Sequence, residues 1–167
     1  MDRLNPITVR VAEAADWPAI WPIVEAVVQA GETYTWPRDL SEADARRLWM
    51  VAAPGRTLVA VDGPVVLGSA KITPNQMGPG AHVANGSFMV GPAARGRGVG
   101  RLLGLAALDH ARQAGFRAMQ FNAVVEVNLT AVKLWRSLGF DIVGTVPEAF
   151  DHPTAGLVGL HVMHRSL

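Results

Sequence analysis

The sequence contains no cysteine. This absence excludes a disulfide framework, a thiolate metal site and an acyl-cysteine intermediate, and no metal is expected from the rest of the sequence. An excess of charge is lacking too, because 15 basic and 14 acidic residues give a formal net charge of +1. Without a broad cationic field we expect neither nucleic acid nor a membrane as a partner. Any anion must therefore be bound locally.

The sequence also lacks long apolar runs. The first eight residues do not resemble a secretion signal, and no run approaches the ~20 apolar residues of a membrane span. We therefore expect a soluble, cytoplasmic protein. The 167 residues, 50% of them hydrophobic, suffice for one sizeable core and contain no repeat or linker. This predicts a single domain over residues 1–167.

Hydrophobic spacing predicts alternating strands and helices. Strands are expected over residues 7–11, 57–61, 65–72, 82–90, 118–125, 140–146 and 157–163. Helices are expected from an Asp16 cap to Gly31, from a Ser41 cap onward, from the glycine cluster to Gly115, and over residues 128–138.

A glycine-rich loop separates the fourth strand from the third helix. It comprises Arg95, Gly96, Arg97, Gly98, Val99, Gly100 and Arg101. Backbone N–H groups and the positive end of the helix converge there, glycines permit close approach, and arginines can bond phosphate oxygens. The loop therefore predicts a diphosphate site.

Two familiar phosphate loops fit this segment poorly. A nucleotide P-loop needs a lysine followed by serine or threonine, and none follows these glycines. A dinucleotide loop needs G-x-G-x-x-G after the first strand, whereas here the spacing is G-x-G-x-G in the middle of the chain.

The segment instead resembles the acetyl-coenzyme A loop of the GCN5-related N-acetyltransferase (GNAT) superfamily. Arg95-x-x-Gly98-x-Gly100 matches its R-x-x-G-x-G motif, Val90-Gly91-Pro92 resembles its V-x-P, and residues 128–140 resemble its next helix with the G-F ending. The resemblance covers about residues 82 to 146.

This resemblance implies an α/β (α+β) fold: a mixed, splayed sheet of about six to seven strands with about four helices, in three layers. It also implies acetyl-CoA as cosubstrate, with its pantetheine arm between the fourth and fifth strands. Backbone groups near Phe88, Met89 and Val90 would pair with that arm. A homodimer is compatible with the resemblance.

Two family positions hold different residues here. The tyrosine that commonly protonates the departing thiolate is replaced by Trp135, which cannot act as that acid and is expected to pack in the core or against the coenzyme. The glutamate that relatives use as a base is replaced by Asn85, so deprotonation would fall to solvent, His82 or Glu126.

A narrower resemblance is to L-azetidine-2-carboxylate and proline-analogue N-acetyltransferases. Its residues are His82-Val83-x-Asn85, Phe88-x-Val90, Phe121-Asn122, Glu126-x-Asn128 and Trp135. It implies that Asn85 and Asn122 bind the imino-acid carboxylate and that Asn128 holds the thioester or its coenzyme end. Asn128 is equally suited to cap a helix, and the other two asparagines to end or kink strands.

The acceptor amine is expected to lie among aromatic side chains. A small cyclic amine fits among Tyr34, Trp36 and Phe121, and Tyr34 is the only phenol in the chain. Direct attack in a ternary complex is expected, since an acyl-cysteine is excluded; an acyl-serine is the alternative, although no serine lies in a recognisable base-paired context. Phosphinothricin, aminoglycosides, polyamines, and a non-catalytic CoA-binding module remain alternatives.

Overall fold

The computed structural model describes residues 6–167. Within that range it has seven strands and four α-helices. The strands are β1 (Thr8–Val11), β2 (Arg56–Asp62), β3 (Val65–Pro74), β4 (Val83–Val90), β5 (Ala118–Val125), β6 (Asp141–His152) and β7 (Gly156–Ser166). The helices are α1 (Trp17–Ala30), α2 (Glu42–Trp49), α3 (Val99–Gln113) and α4 (Leu129–Ser137).

The helices follow from apolar spacing and from their caps. On α1, Ile20, Val24 and Val28 recur every four residues and are buried. Gly31 ends this helix in the left-handed region, at φ 67°. Ser41 caps α2 by accepting a hydrogen bond from the Asp44 N–H at 3.1 Å, as predicted.

The predicted cap at Asp16 is wrong in its detail. Asp16 precedes α1, but its side chain makes no capping hydrogen bond to that helix. Its carboxylate instead accepts two hydrogen bonds from Arg10 at 2.7 Å and one from the Glu13 N–H. A charged guanidinium and a preceding turn therefore take the oxygens that the helix amides would have used.

The strands form one mixed sheet in the order β1-β2-β3-β4-β5-β7-β6. The pairing is parallel between β4 and β5 and antiparallel elsewhere. The parallel pairing covers three positions and ends at Asn85 opposite Gln120. Beyond that point the two strands separate, although β4 continues to Val90 and β5 to Val125. The sheet is thus splayed at its centre.

Each face of the sheet is covered by a pair of helices. Leu58 and Ala60 of β2 pack in the cluster that contains buried residues of α3 and α4. Val59 and Val61 point the other way, into the cluster with α1 and α2. The predicted three-layer architecture is confirmed.

The last two strands are longer than the predicted ranges. β6 runs to His152 and pairs with β7 across an irregularity between Val146 and Phe150. Pro147 lies inside that irregularity, and Glu148 adopts a φ of 51°. Proline within a strand pattern signals its end, so the continuation beyond residue 146 was not predicted.

No helix among the described residues combines the length and apolar character needed to cross a membrane. In the same part of the chain, no three or more histidine or acidic side chains lie close enough together to hold a metal ion.

Candidate functional site

The separation of β4 from β5 exposes part of the β4 backbone. The N–H and C=O of Phe88 point away from β3, and both contact the Tyr34 hydroxyl at 3.0 Å. In an extended strand, the backbone N–H and C=O of Val90, two residues further along, point in the same direction as those of Phe88. The N–H of Gly91, the next residue, points in the opposite direction and donates to the Leu67 carbonyl of β3. The gap therefore has an edge able to pair with an extended ligand.

Tyr34 reaches this edge from the loop between α1 and α2. Its hydroxyl accepts from the Phe88 N–H and donates to the Phe88 C=O. Burial raises the pKa of Tyr34, so the hydroxyl stays protonated at neutral pH. Its ring packs against Trp36 and Trp49, with centroids 5.3 and 6.3 Å away. This aromatic loop, which carries Tyr34 and Trp36, thus contacts the β4 edge directly.

The start of α3 carries backbone amides without acceptors. Between Gly96 and Arg101, only the Arg97 N–H donates to a main-chain carbonyl, that of Ala94 at 3.3 Å. Gly96 and Gly98 both have a φ of 76°, and a Cβ at either would meet nothing within 4 Å. The turn is therefore open to solvent, and its amides can bind an anion.

The three arginines of the loop differ in what they contact. Arg97 forms an ion pair with Asp62 at 2.7 Å, and Arg101 donates to the Ser137 hydroxyl at 3.0 Å. Arg95 is exposed, and its side chain has no hydrogen-bond partner among residues 6–167. Arg95 is therefore the arginine best able to meet an anion without breaking a contact.

Asn85 and Asn122 come together through a third amide. Asn75 Oδ1 accepts from Asn85 Nδ2 at 3.1 Å and from Asn122 Nδ2 at 2.7 Å. Gln120 in turn donates to Asn122 Oδ1 at 2.8 Å. This amide cluster of Asn75, Asn85, Gln120 and Asn122 lies where the β4–β5 pairing ends. It fixes which atoms of Asn85 and Asn122 remain available to a ligand.

Asn75 was not identified from the sequence. It directly follows β3, and its N–H bonds to Val83, the first residue of β4, at 2.8 Å. No motif or spacing marks it. Asn75 reaches the site because β3 and β4 pair antiparallel, which brings the end of one strand to the start of the next.

Asn128 caps α4. Its Oδ1 accepts from the Ala131 N–H at 3.2 Å, and its own N–H donates to Val125 at 2.9 Å. Its Nδ2 has no partner among the described residues, so the cap leaves one donor group of this side chain available.

Trp135 and Phe121 lie in the core on the α3 and α4 side. They are 7% and 4% exposed, with ring centroids 4.8 Å apart. The Phe88 ring packs 4.6 Å from Trp135 and 5.7 Å from Phe121. Tyr34 and Trp36 instead pack on the cluster of α1 and α2. The structure thus does not bring Phe121 together with Tyr34 and Trp36.

The two candidate bases make contacts elsewhere. Glu126 accepts a hydrogen bond from the Gly159 N–H, which ties the end of β5 to β7. His82 is exposed, and its Nδ1 lies 3.1 Å from the Pro79 carbonyl. Neither side chain bonds to the amide cluster or to Tyr34. The described part of the site therefore contains no carboxylate or imidazole bonded to these groups.

Known proteins are similar to this chain in sequence and in fold. The family model described as the acetyltransferase (GNAT) family matches residues 21–140. The N-acetyltransferase aca1 of Schizosaccharomyces pombe is 36% identical over 98 residues, which are 58% of this chain and 47% of that protein. The chain thus spans about half the length of this curated relative.

Solved structures match nearly the whole chain. A GCN5-related N-acetyltransferase from Kribbella flavida is 61% identical with a TM-score of 0.94, covering 96% of this chain and 98% of its own. A phosphinothricin acetyltransferase from Sinorhizobium meliloti, solved with acetyl-CoA, is 25% identical with a TM-score of 0.86. That match covers 96% of this chain and 88% of the other.

Proposed function

Since this chain belongs to the GNAT family of N-acetyltransferases, we propose that it acetylates the amine of a small amino or imino acid by direct attack in a ternary complex. Proline analogues such as L-azetidine-2-carboxylate are the acceptors we favour. The observation that carries this proposal is the gap beside β4, which has a polar backbone edge on one side and the amide cluster at its closed end.

Acetyl-CoA supplies an activated thioester, and the residues of the gap fit its parts. The amides from Gly96 to Arg101, with Arg95 beside them, hold the diphosphate. Val90 pairs with the pantetheine arm. Phe88 can join that pairing only where the Tyr34 hydroxyl gives up its bonds to the Phe88 backbone.

Neutral amides orient the reacting groups. Asn128 keeps an Nδ2 donor toward the thioester end while its Oδ1 caps α4. Asn85 and Asn122 each retain one N–H beyond the bond to Asn75, so they can donate to the acceptor's carboxylate. Because an amide takes up no proton at neutral pH, the acceptor must lose its ammonium proton to solvent. The rate should then rise with pH toward the pKa of the acceptor amine.

The experiment is amine-dependent release of free coenzyme A. Acetyl-CoA is incubated with cyclic imino acids, phosphinothricin, a polyamine and an aminoglycoside, and the thiol is measured. We expect the highest kcat/KM with the imino acids. No release above the amine-free rate would contradict the proposal, and a preference for polyamines or aminoglycosides would overturn its acceptor class.

A variant pair connects the activity to the amide cluster. Asn85→Ala should lower kcat/KM for the best acceptor by about tenfold, the loss of a hydrogen bond to a charged group. Gln113→Ala removes an exposed amide at the end of α3 and should leave kcat/KM unchanged. Equal activity of both variants and the wild type would remove Asn85 from the site.

A further inference from the structure

Lys71 of β3 is a partly buried cation without a carboxylate partner. Its Nζ donates to the Leu48 carbonyl at 2.7 Å and lies 5.3 and 5.7 Å from the ring centroids of Trp36 and Trp49. None of the ion pairs within residues 6–167 includes it. An ammonium has three N–H donors, so two of them lack a partner in the described protein.

Burial is the cause that lowers the pKa of Lys71, and no nearby carboxylate counteracts it. A positive charge removed from water without a counterion is unfavourable, and the faces of two tryptophan rings compensate only in part. The Leu48 carbonyl at the end of α2 adds a favourable dipole. An anionic ligand would complete the remaining interactions.

The position of Lys71 ties it to the proposed acceptor site. Lys71 pairs with Ser87 across β3 and β4, and Thr73 pairs with Asn85. Alternate residues of a strand share a face, so Lys71 lies on the same face as Asn85. Trp36, which contacts the Lys71 ammonium, also packs against Tyr34 at 5.3 Å. The cation therefore lies on the sheet face that carries Asn85 of the amide cluster, and it contacts the aromatic loop through Trp36.

Charge complementarity then decides between acceptor classes. A polyamine or aminoglycoside would bring further ammonium groups toward an unpaired lysine, which is repulsive at short range. A carboxylate would gain an ion pair with the ammonium, which the neutral amides cannot supply. We propose that Lys71 binds the carboxylate of the acceptor and so restricts the enzyme to amino and imino acids. This inference rests on the proposed acetyl transfer.

The experiment compares acceptors that differ only in the carboxylate. L-Proline is paired with L-prolinamide, and L-azetidine-2-carboxylate with its carboxamide, at saturating acetyl-CoA. Lys71→Met keeps a long apolar stem against the tryptophans, and Lys71→Arg keeps the charge. Lys133, the only other lysine, is exposed on α4, so Lys133→Met is the matched charge-loss control.

We expect Lys71→Met to reduce the ratio of kcat/KM for acid over amide by about 10- to 100-fold, mainly through KM of the acid. Lys71→Arg should restore most of that preference, and Lys133→Met should not change it. An unchanged ratio in Lys71→Met would overturn the inference. So would an equal loss with acids and amides, which would assign Lys71 a structural role at the end of α2.

Calorimetric titration separates this inference from the acetyl transfer itself. Each acid and amide is titrated into protein saturated with coenzyme A, and no turnover is needed. If the wild type binds the acid more tightly than the amide and Lys71→Met does not, the carboxylate site is supported even where no amine is acetylated. An absence of acetylation would contradict only the proposed function. Equal binding of acid and amide by the wild type would overturn the carboxylate site.

Discussion

Replacing Gly98 by aspartate should weaken acetyl-CoA binding far more than replacing it by asparagine. Gly98 precedes α3 with a φ of 76° and a ψ of 9°. A Cβ there would meet nothing within 4 Å, so the protein accommodates the Cβ that both variants add. Asparagine and aspartate are also the L-residues that best tolerate the left-handed region. The two variants therefore share the backbone strain and differ in charge.

The magnitude follows from Coulomb's law. Two unit charges 4 Å apart interact by about 1 kcal/mol in water and about 4 kcal/mol at an effective dielectric of 20. Gly98 is exposed, which favours the lower figure. With two negative charges on a diphosphate, we expect about 2 kcal/mol between the variants, or about 30-fold in Kd.

Calorimetric titration with acetyl-CoA at low and high salt measures this difference. The difference in Kd for acetyl-CoA between the aspartate and asparagine variants should become smaller as salt screens the exposed charge. S-Acetylpantetheine lacks the diphosphate, so kcat/KM with this shorter donor should be the same for both variants. Equal acetyl-CoA affinities of the two variants would refute the location of the diphosphate at this turn.

Three further changes test other contacts. Tyr34→Phe frees the N–H and C=O of Phe88, so acetyl-CoA should bind about 3- to 10-fold more tightly in a calorimetric titration. Weaker binding would contradict this expectation and show that the Tyr34 hydroxyl helps to hold the pantetheine arm. Asn75→Ala removes the oxygen that accepts hydrogen bonds from Asn85 and Asn122, so it should raise KM for the amine about tenfold and leave KM for acetyl-CoA unchanged. Asn75→Asp keeps an oxygen at this position and should retain most activity. The hydrogen bond from Arg10 lowers the pKa of Asp16, so Asp16 stabilises the fold above its ordinary pKa of 3.8, and this stability is lost as pH falls through the lowered value. Asp16→Asn should therefore lower Tm at pH 7, and a Tm difference that persists in strong acid would contradict this account.

Much of the fold could be predicted because its elements are locally encoded. The four-residue recurrence on α1, the cap at Ser41 and the left-handed glycines at positions 31, 115 and 139 all act over one or two turns. The range predicted for β5 matches the structure residue for residue. The irregular second half of β6 was missed because its pairing with β7 outweighs the local signal of Pro147.

The candidate site could be predicted only where a backbone feature has a sequence signature. Glycines in a fixed spacing before a helix locate the open amides of the α3 turn. The Tyr34 bonds to Phe88 join residues 54 positions apart, and Asn75 bonds to Asn122 across 47 positions. Such contacts depend on the register of whole strands, which residue types alone do not specify.

The two halves of the gap differ in the chemical groups that line them. The side that we propose for the coenzyme presents mainly main-chain amides and carbonyls, at the glycine turn before α3 and at the β4 edge. The side that we propose for the acceptor presents side chains of a loop and three strands: Tyr34 and Trp36, Lys71, Asn85 and Asn122. Site side chains can be exchanged without loss of the fold, so relatives can keep the first half and differ in the second. Membership of the family therefore supports acetyl-CoA as the acyl donor, whereas the charge and hydrogen bonds of these five side chains decide which acceptor fits.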